Sequence, residues 1–240
     1  MRLYEYIIIS LPPDVDAKQV DFLRQFENVR AIVNSDWTHG RHKAVLPMLE
    51  TKAAFIHYCD LDRLLHWIET NPAELEAVVS SIPQYDYLIL GRTDDAWATH
   101  PRSFFETEAL FNQMFSHFFR QPVDVGGGSR GISRQAVEFL QAHSPPGRSV
   151  GTDGEWPVLL QRAGFTVDYR AADGLDWETP DQFQPRAVDR ETQRLAALEY
   201  DKDPKNWQLR VWVAQEIISA GLAAMYRKMD DIKIEKKAGI

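Results

Sequence analysis

Residues 53–67 read AAFIHYCDLDRLLHW. A short apolar run reaches Cys59, two carboxylates come next at Asp60 and Asp62, and a segment with Leu64, Leu65, Trp67 and Ile68 begins at once. The run has the length of a buried strand, and the segment after it has helical spacing. A strand that stops at paired aspartates sets both at its carboxyl end, where open α/β sheets bind ligands. An Asp-x-Asp there has three readings: oxygen ligands for Mg²⁺ or Mn²⁺, a phosphatase nucleophile pair, or a solvated acidic turn. The phosphatase pattern continues with Asp, Gly and Thr, whereas Arg63 and Leu64 follow Asp62 here.

Outward from this stretch, YEYIIISLPP (4–13) reads as a buried strand halted by two prolines, and DAKQVDFLRQF (16–26) as a helix. VRAIVNS (29–35) is a second strand, and GRHKAVLPMLETK (40–52) a loop entering a helix. Beyond the aspartates, a helix breaks at Asn71-Pro72 and resumes, then YDYLILGRT (85–93) gives another strand ending at Gly91-Arg92. FETEALFNQMFSHFF (105–119) is helical, and VDVGGGSRGISRQAVEFLQAH (123–143) is a strand or loop, a glycine cluster and a helix. EWPVLLQRAG (155–164) is a short helix stopped by Gly164, FTVDYRA (165–171) a last strand, and 187–228 a helical stretch interrupted at Pro204. Residues 230–240 read as a frayed tail. Strands alternating with helices predict an α/β fold with a mostly parallel sheet flanked by helices. Residues 1–180 are expected to form this body and 181–240 a helical carboxyl-terminal extension that packs on it.

The chain has 240 residues, 44% of them hydrophobic, enough for one large domain. Its formal net charge of −8 argues against nucleic acid or an anionic membrane as partner, and leaves room for a small anion held by local arginines. The single cysteine, Cys59, excludes an internal disulfide and reads as a structural thiol. The apolar runs are too short to span a bilayer and the start does not have the pattern of a signal peptide, so a cytoplasmic protein is expected.

Other segments carry chemistry. VDVGGGSRGIS (123–133) resembles the first motif of S-adenosylmethionine methyltransferases, with Asp153 as a ribose-binding acid, but Arg130 stands where that motif wants a third glycine. Asp153 and Glu155 open a helix, where they either favour its amino terminus or supply a general base. Arg41 and Lys43 at a helix entrance, Arg92 at a strand end, and Arg130 and Arg134 beside the glycines are surface charges or converge on a diphosphate. His57, His66 and His100 show no paired spacing of the zinc-binding kind.

In order along the chain, GRHKAV, FIHYCDLD, GGGSRGISRQAVEFL and DGEWPVLLQRAGFTVDY resemble family 2-like glycosyltransferases of the GT-A fold, in the nucleotide-diphospho-sugar transferase superfamily. The resemblance implies a UDP- or GDP-linked sugar donor whose diphosphate is bridged by Mg²⁺ or Mn²⁺ at Asp60 and Asp62. Arg41, Lys43, Asp60, Arg92 and Arg130 would bind the donor. In an inverting enzyme Asp153 or Glu155 would deprotonate the acceptor hydroxyl; a retaining enzyme needs no such base. The family usually opens with one more strand and helix, which help form the nucleobase pocket, and this chain is expected to start one such unit late. A non-catalytic glycosyltransferase-like binding protein is therefore the alternative.

Overall fold

Turn and cap residues cut the chain into short elements. A computed structural model describes residues 3–147 and 149–228. The chain runs through β1 (Ile7–Leu11), α1 (Ala17–Leu23), β2 (Val29–Val33), α2 (Gly40–Val45), β3 (Phe55–Cys59), α3 (Leu61–Thr70), α4 (Pro72–Ser81) and β4 (Tyr87–Arg92). It continues through α5 (Asp94–Trp97), α6 (Arg102–Phe119), β5 (Ser129–Ser133), α7 (Arg134–His143), α8 (Thr152–Ala163), β6 (Val167–Ala172), α9 (Arg190–Tyr200) and α10 (Pro204–Tyr226). The Asp16, Asn71, Thr93, Ser133, Asp189 and Asp203 side chains each accept a backbone N–H at a helix start, satisfying donors that the first turn leaves open. Gly164 ends α8 at φ 87°, as its sequence position predicts.

The α/β character is as expected, but the sheet is mixed. β1 and β2 pair in parallel as a separate two-stranded sheet, while the other strands form a four-stranded sheet in the order β3-β5-β4-β6. β6 is parallel to β4, and β5 runs antiparallel to both its neighbours. The topology explains this reversal. Residues 122–128 follow α6 back to the end where β4 leaves the sheet, with the Arg92 N–H donating to Asp124 at 2.9 Å, so β5 enters there and descends. β5 is the segment Ser-Arg-Gly-Ile-Ser, whose sequence reads as the close of a glycine cluster and a helix start rather than as a strand.

Alternation along β4 makes three layers. Tyr87 and Ile89 join the larger core with Phe111, Phe115, Trp156, Leu159 and Leu160, while Leu88 and Leu90 face Trp67, Leu75, Val78 and Leu175. Ile9, Leu11 and Val20 form a small core of their own in the β1–β2 unit. The carboxyl-terminal helix packs on the body: Ala214, Ile217 and Ala224 of α10 belong to the larger core. α8 and α10 meet at glycines, since a Cβ on Gly154 would come within 2.5 Å of the Ile217 carbonyl and 2.7 Å of Phe115 Cζ. The expected tail, 230–240, lies outside the described residues.

Candidate functional site

β3 delivers Tyr58 and Asp60 to one end of the sheet. The backbone N–H of Asp60 donates to the Gly128 carbonyl at 3.0 Å, and the Tyr58 hydroxyl donates to Asp60 Oδ1 at 2.7 Å. Tyr58 is the cross-strand partner of Arg130, whose guanidinium lies 4.9 Å from the centre of the phenol ring. Arg130 Nη2 donates to Asp153 Oδ1 at 2.5 Å, and Arg41 Nη1 donates to the same oxygen. A second Arg41 nitrogen stands 4.0 Å from Asp60. Arg41, Asp60, Arg130 and Asp153 thus meet at the carboxyl end of β3 although they lie on four separate segments. The β1–β2 unit holds Arg41 in place: Ser10 Oγ donates to the Gly40 carbonyl at 2.8 Å, and Asn34 Nδ2 donates to Ser10 Oγ at 2.7 Å.

Burial grades these groups. Arg130 and Asp153 side chains are 3% and 4% exposed, whereas Arg41 keeps 15% and Asp60 37%. Burial opposes the charge on both arginines, but Asp153 outweighs it and their pKa values are raised, so both stay cationic. Burial, followed by the Asp60 charge, lifts the Tyr58 phenol, which stays protonated as a donor. Burial also pushes the Cys59 thiol up to about 12, which makes it an inert structural group.

Asp60 occupies the cap position of α3 without bonding its N–H groups, which leaves one carboxylate oxygen free of the Tyr58 bond. Asp62 is exposed in the first turn of α3, where it accepts the Arg63 N–H at 2.9 Å. Lys43 is half-buried on α2, two residues beyond Arg41. Among the described residues no group of three or more His, Cys, Asp and Glu is arranged to hold a metal ion. Mg²⁺ or Mn²⁺ is commonly held by one or two carboxylates together with substrate phosphates and water, so the metal that the resemblance implies does not require such a group.

Three candidate residues go elsewhere. The Arg92 side chain is fully buried, with Nε 2.7 Å from Asp124, Nη2 2.5 Å from Glu108 and its guanidinium 3.5 Å from the centre of the Trp97 ring. It ties β4 to α6 and the 122–128 loop and does not join the Asp60 cluster. Glu155 is fully buried on another side of α8, where Ser144 Oγ donates to it at 2.6 Å and Arg227 lies 3.4 Å away. Arg134 donates to backbone carbonyls of Met48 and Ala53, each at 3.0 Å, and so is structural.

The glycine cluster is explained by close packing. A Cβ on Gly127 would strike the Leu90 carbonyl, and one on Gly126 would strike Glu108. Gly128 has φ +66°, and a Cβ there would lie 2.6 Å from Asp60 Oδ2. The loop therefore seats Asp60. Two neighbours that complete this end of the sheet are not apparent from sequence. Arg63 is buried, donates to the Gly127 carbonyl at 3.2 Å and stands 3.4 Å from Glu178. Burial raises the Glu178 pKa, opposed by Arg63 and reinforced by Asp62 and Asp60. The one signal for Arg63 is a cation directly after the aspartates on a helix whose neighbours are apolar.

No protein-family model matches this chain, no curated protein matches its sequence, and no solved structure matches its fold. No helix among the described residues is long and apolar enough to cross a membrane.

Proposed function

We propose that the end of β3 binds the diphosphate of a nucleotide-sugar donor, and that the protein is a GT-A-like glycosyltransferase acting on a hydroxyl acceptor. One observation supports this above all: Arg41, Asp60, Arg130 and Asp153, drawn from the four segments that carry the family resemblance, share one strand end. Arg41 is the more exposed guanidinium and sits between the two aspartates, so it is the group that takes a phosphate oxygen. Arg130, deeper and stacked on Tyr58, adds positive potential behind it. Asp60 and Asp62 would hold Mg²⁺ or Mn²⁺, which when bound supplies Lewis-acid stabilisation of a departing nucleoside diphosphate.

Asp153 directs both guanidinium groups through one oxygen, so its role is positioning rather than proton abstraction. Glu155 is buried against Ser144. A retaining reaction, which needs no such base, fits this arrangement better than an inverting one. The same engagement of both carboxylates favours a second reading, a binding protein that holds the donor without turning it over.

Incubation with UDP- and GDP-sugars, Mn²⁺ and simple glycoside acceptors, with nucleotide release as the readout, separates these. Metal-dependent release that Arg41→Ala lowers by about tenfold or more supports transfer. Binding without release supports the second reading, and release of phosphate from simple esters would sink both.

A further inference from the structure

A separate cavity of about 630 Å³ opens between α5, the start of α6 and α9. Its size is that of a small-molecule site. Its floor is apolar: Trp97, Phe105 and Leu198 line it, Phe105 being 54% and Leu198 66% exposed. Trp97 is held rigidly, with Arg92 stacked at 3.5 Å from its ring centre and Phe105 edge-on at 5.9 Å. A preorganised aromatic wall that stays partly open in the folded chain suits a ligand with a flat apolar face.

The polar lining specifies more. His100 borders the cavity and is only 7% exposed. Its Nδ1 is 3.0 Å from the Ala96 carbonyl, which makes Nδ1 the protonated nitrogen, and Nε2 is itself buried, so the ring adds a neutral edge to the lining rather than a charge. Two cations, Arg102 and Arg194, share the lining with Asp94 and Asp201. Asp201 is committed to the first N–H groups of α6, at 2.6 and 3.1 Å. Among the described residues, the Arg102 and Arg194 side chains pair with exposed neighbours one helical turn away, Glu106 at 3.0 Å and Glu191 at 3.7 Å, and such pairs contribute little. Their donors are available to a ligand. A rim of mixed sign disfavours a net anion or cation and suits a neutral molecule that both donates and accepts hydrogen bonds.

We propose that this cavity is a carbohydrate-binding site, in which a neutral pyranose ring lays its C–H face on Trp97 and Phe105 and its hydroxyls meet Arg102, Arg194 and Asp94. The site shares no residue with the Asp60 cluster. It stands apart from the glycosyl-transfer reading.

The test is a titration of the full chain, with no nucleotide and no metal, against methyl glucoside, methyl galactoside and an N-acetylglucosamine disaccharide. The readout is the Trp97 indole N–H in a two-dimensional NMR spectrum, assigned with Trp97→Phe. At least one sugar is expected to shift that signal with millimolar affinity, and Phe105→Ala and Leu198→Glu are each expected to weaken binding by roughly tenfold. Both positions are exposed enough for the variants to fold, which unchanged melting temperatures would verify. No shift with any sugar, equal shifts in both variants, or binding of benzoate but of no glycoside would each overturn the assignment. Because nucleotide and metal are absent, failure here leaves the donor-site reading standing, and the reverse also holds.

Discussion

Asp153 accepts from two guanidinium groups, the buried Arg130 and the half-buried Arg41, and that single carboxylate holds the site together. Asp153→Asn leaves Arg41 and Arg130 without their counter-charge, and breaking buried pairs of this kind costs about 3–5 kcal/mol. Urea denaturation should therefore show a large loss of stability, whereas the exposed Asp62→Ala should change it little. His66 makes a second residue-scale prediction. It lies between Asp176 at 2.9 Å and Asp181 at 2.6 Å. Burial opposes its charge, but the two carboxylates prevail and raise its pKa to about 9. A group whose pKa is raised on folding gives its full contribution below the unfolded value, near 6.5, and loses it as pH rises through about 9. Stability should fall by roughly 2 kcal/mol across that interval in the wild type. His66→Gln should flatten the slope between those pH values; an unchanged slope would remove His66 as its cause. Neither pairing is legible in the sequence, because the partners of His66 lie more than 100 residues downstream, at Asp176 and Asp181.

At the scale of elements, legibility depends on how local the pattern is. The end of β3 can be read because an apolar run, two aspartates and a helical pattern succeed one another without a break. Asp153 and Glu155 read alike in the sequence, yet residues two apart on a helix point roughly 200° from each other, so only one could reach the β3 end. β5 is hidden because Arg130, Gly131 and the two serines carry no apolar alternation; its burial comes from a central place in the sheet. Arg92 misleads because a cation at a strand end reads alike whether it faces solvent or, as here, Asp124 and Glu108. Gly128→Ala puts a Cβ into a left-handed turn and against Asp60, which should cost about 1–3 kcal/mol and weaken any ligand held by that carboxylate. Gly154→Val should separate α8 from α10 and lower the melting temperature, because Ile217 and Phe115 occupy the space its side chain needs. Thermal unfolding of both variants checks these outcomes.

For the molecule as a whole, three packed groups converge on one sheet end: the β1–β2 unit carries Arg41, the central sheet carries Asp60 and Arg130, and α8 carries Asp153. The chain is acidic, at −8, and this end sets two arginines, both held cationic, against the buried Asp153 and the partly open Asp60. A metal ion bound there would add the positive charge that a diphosphate requires. A donor site at this sheet end is best tested by calorimetric titration of UDP, GDP and their sugar conjugates, with Mn²⁺ and with a chelator, into the wild type and Asp62→Ala. At least one nucleotide should bind in a manner that requires Mn²⁺ and disappears in Asp62→Ala. Absence of binding by every nucleotide, or binding indifferent to both chelator and substitution, would show that the sheet end holds no metal-bridged diphosphate.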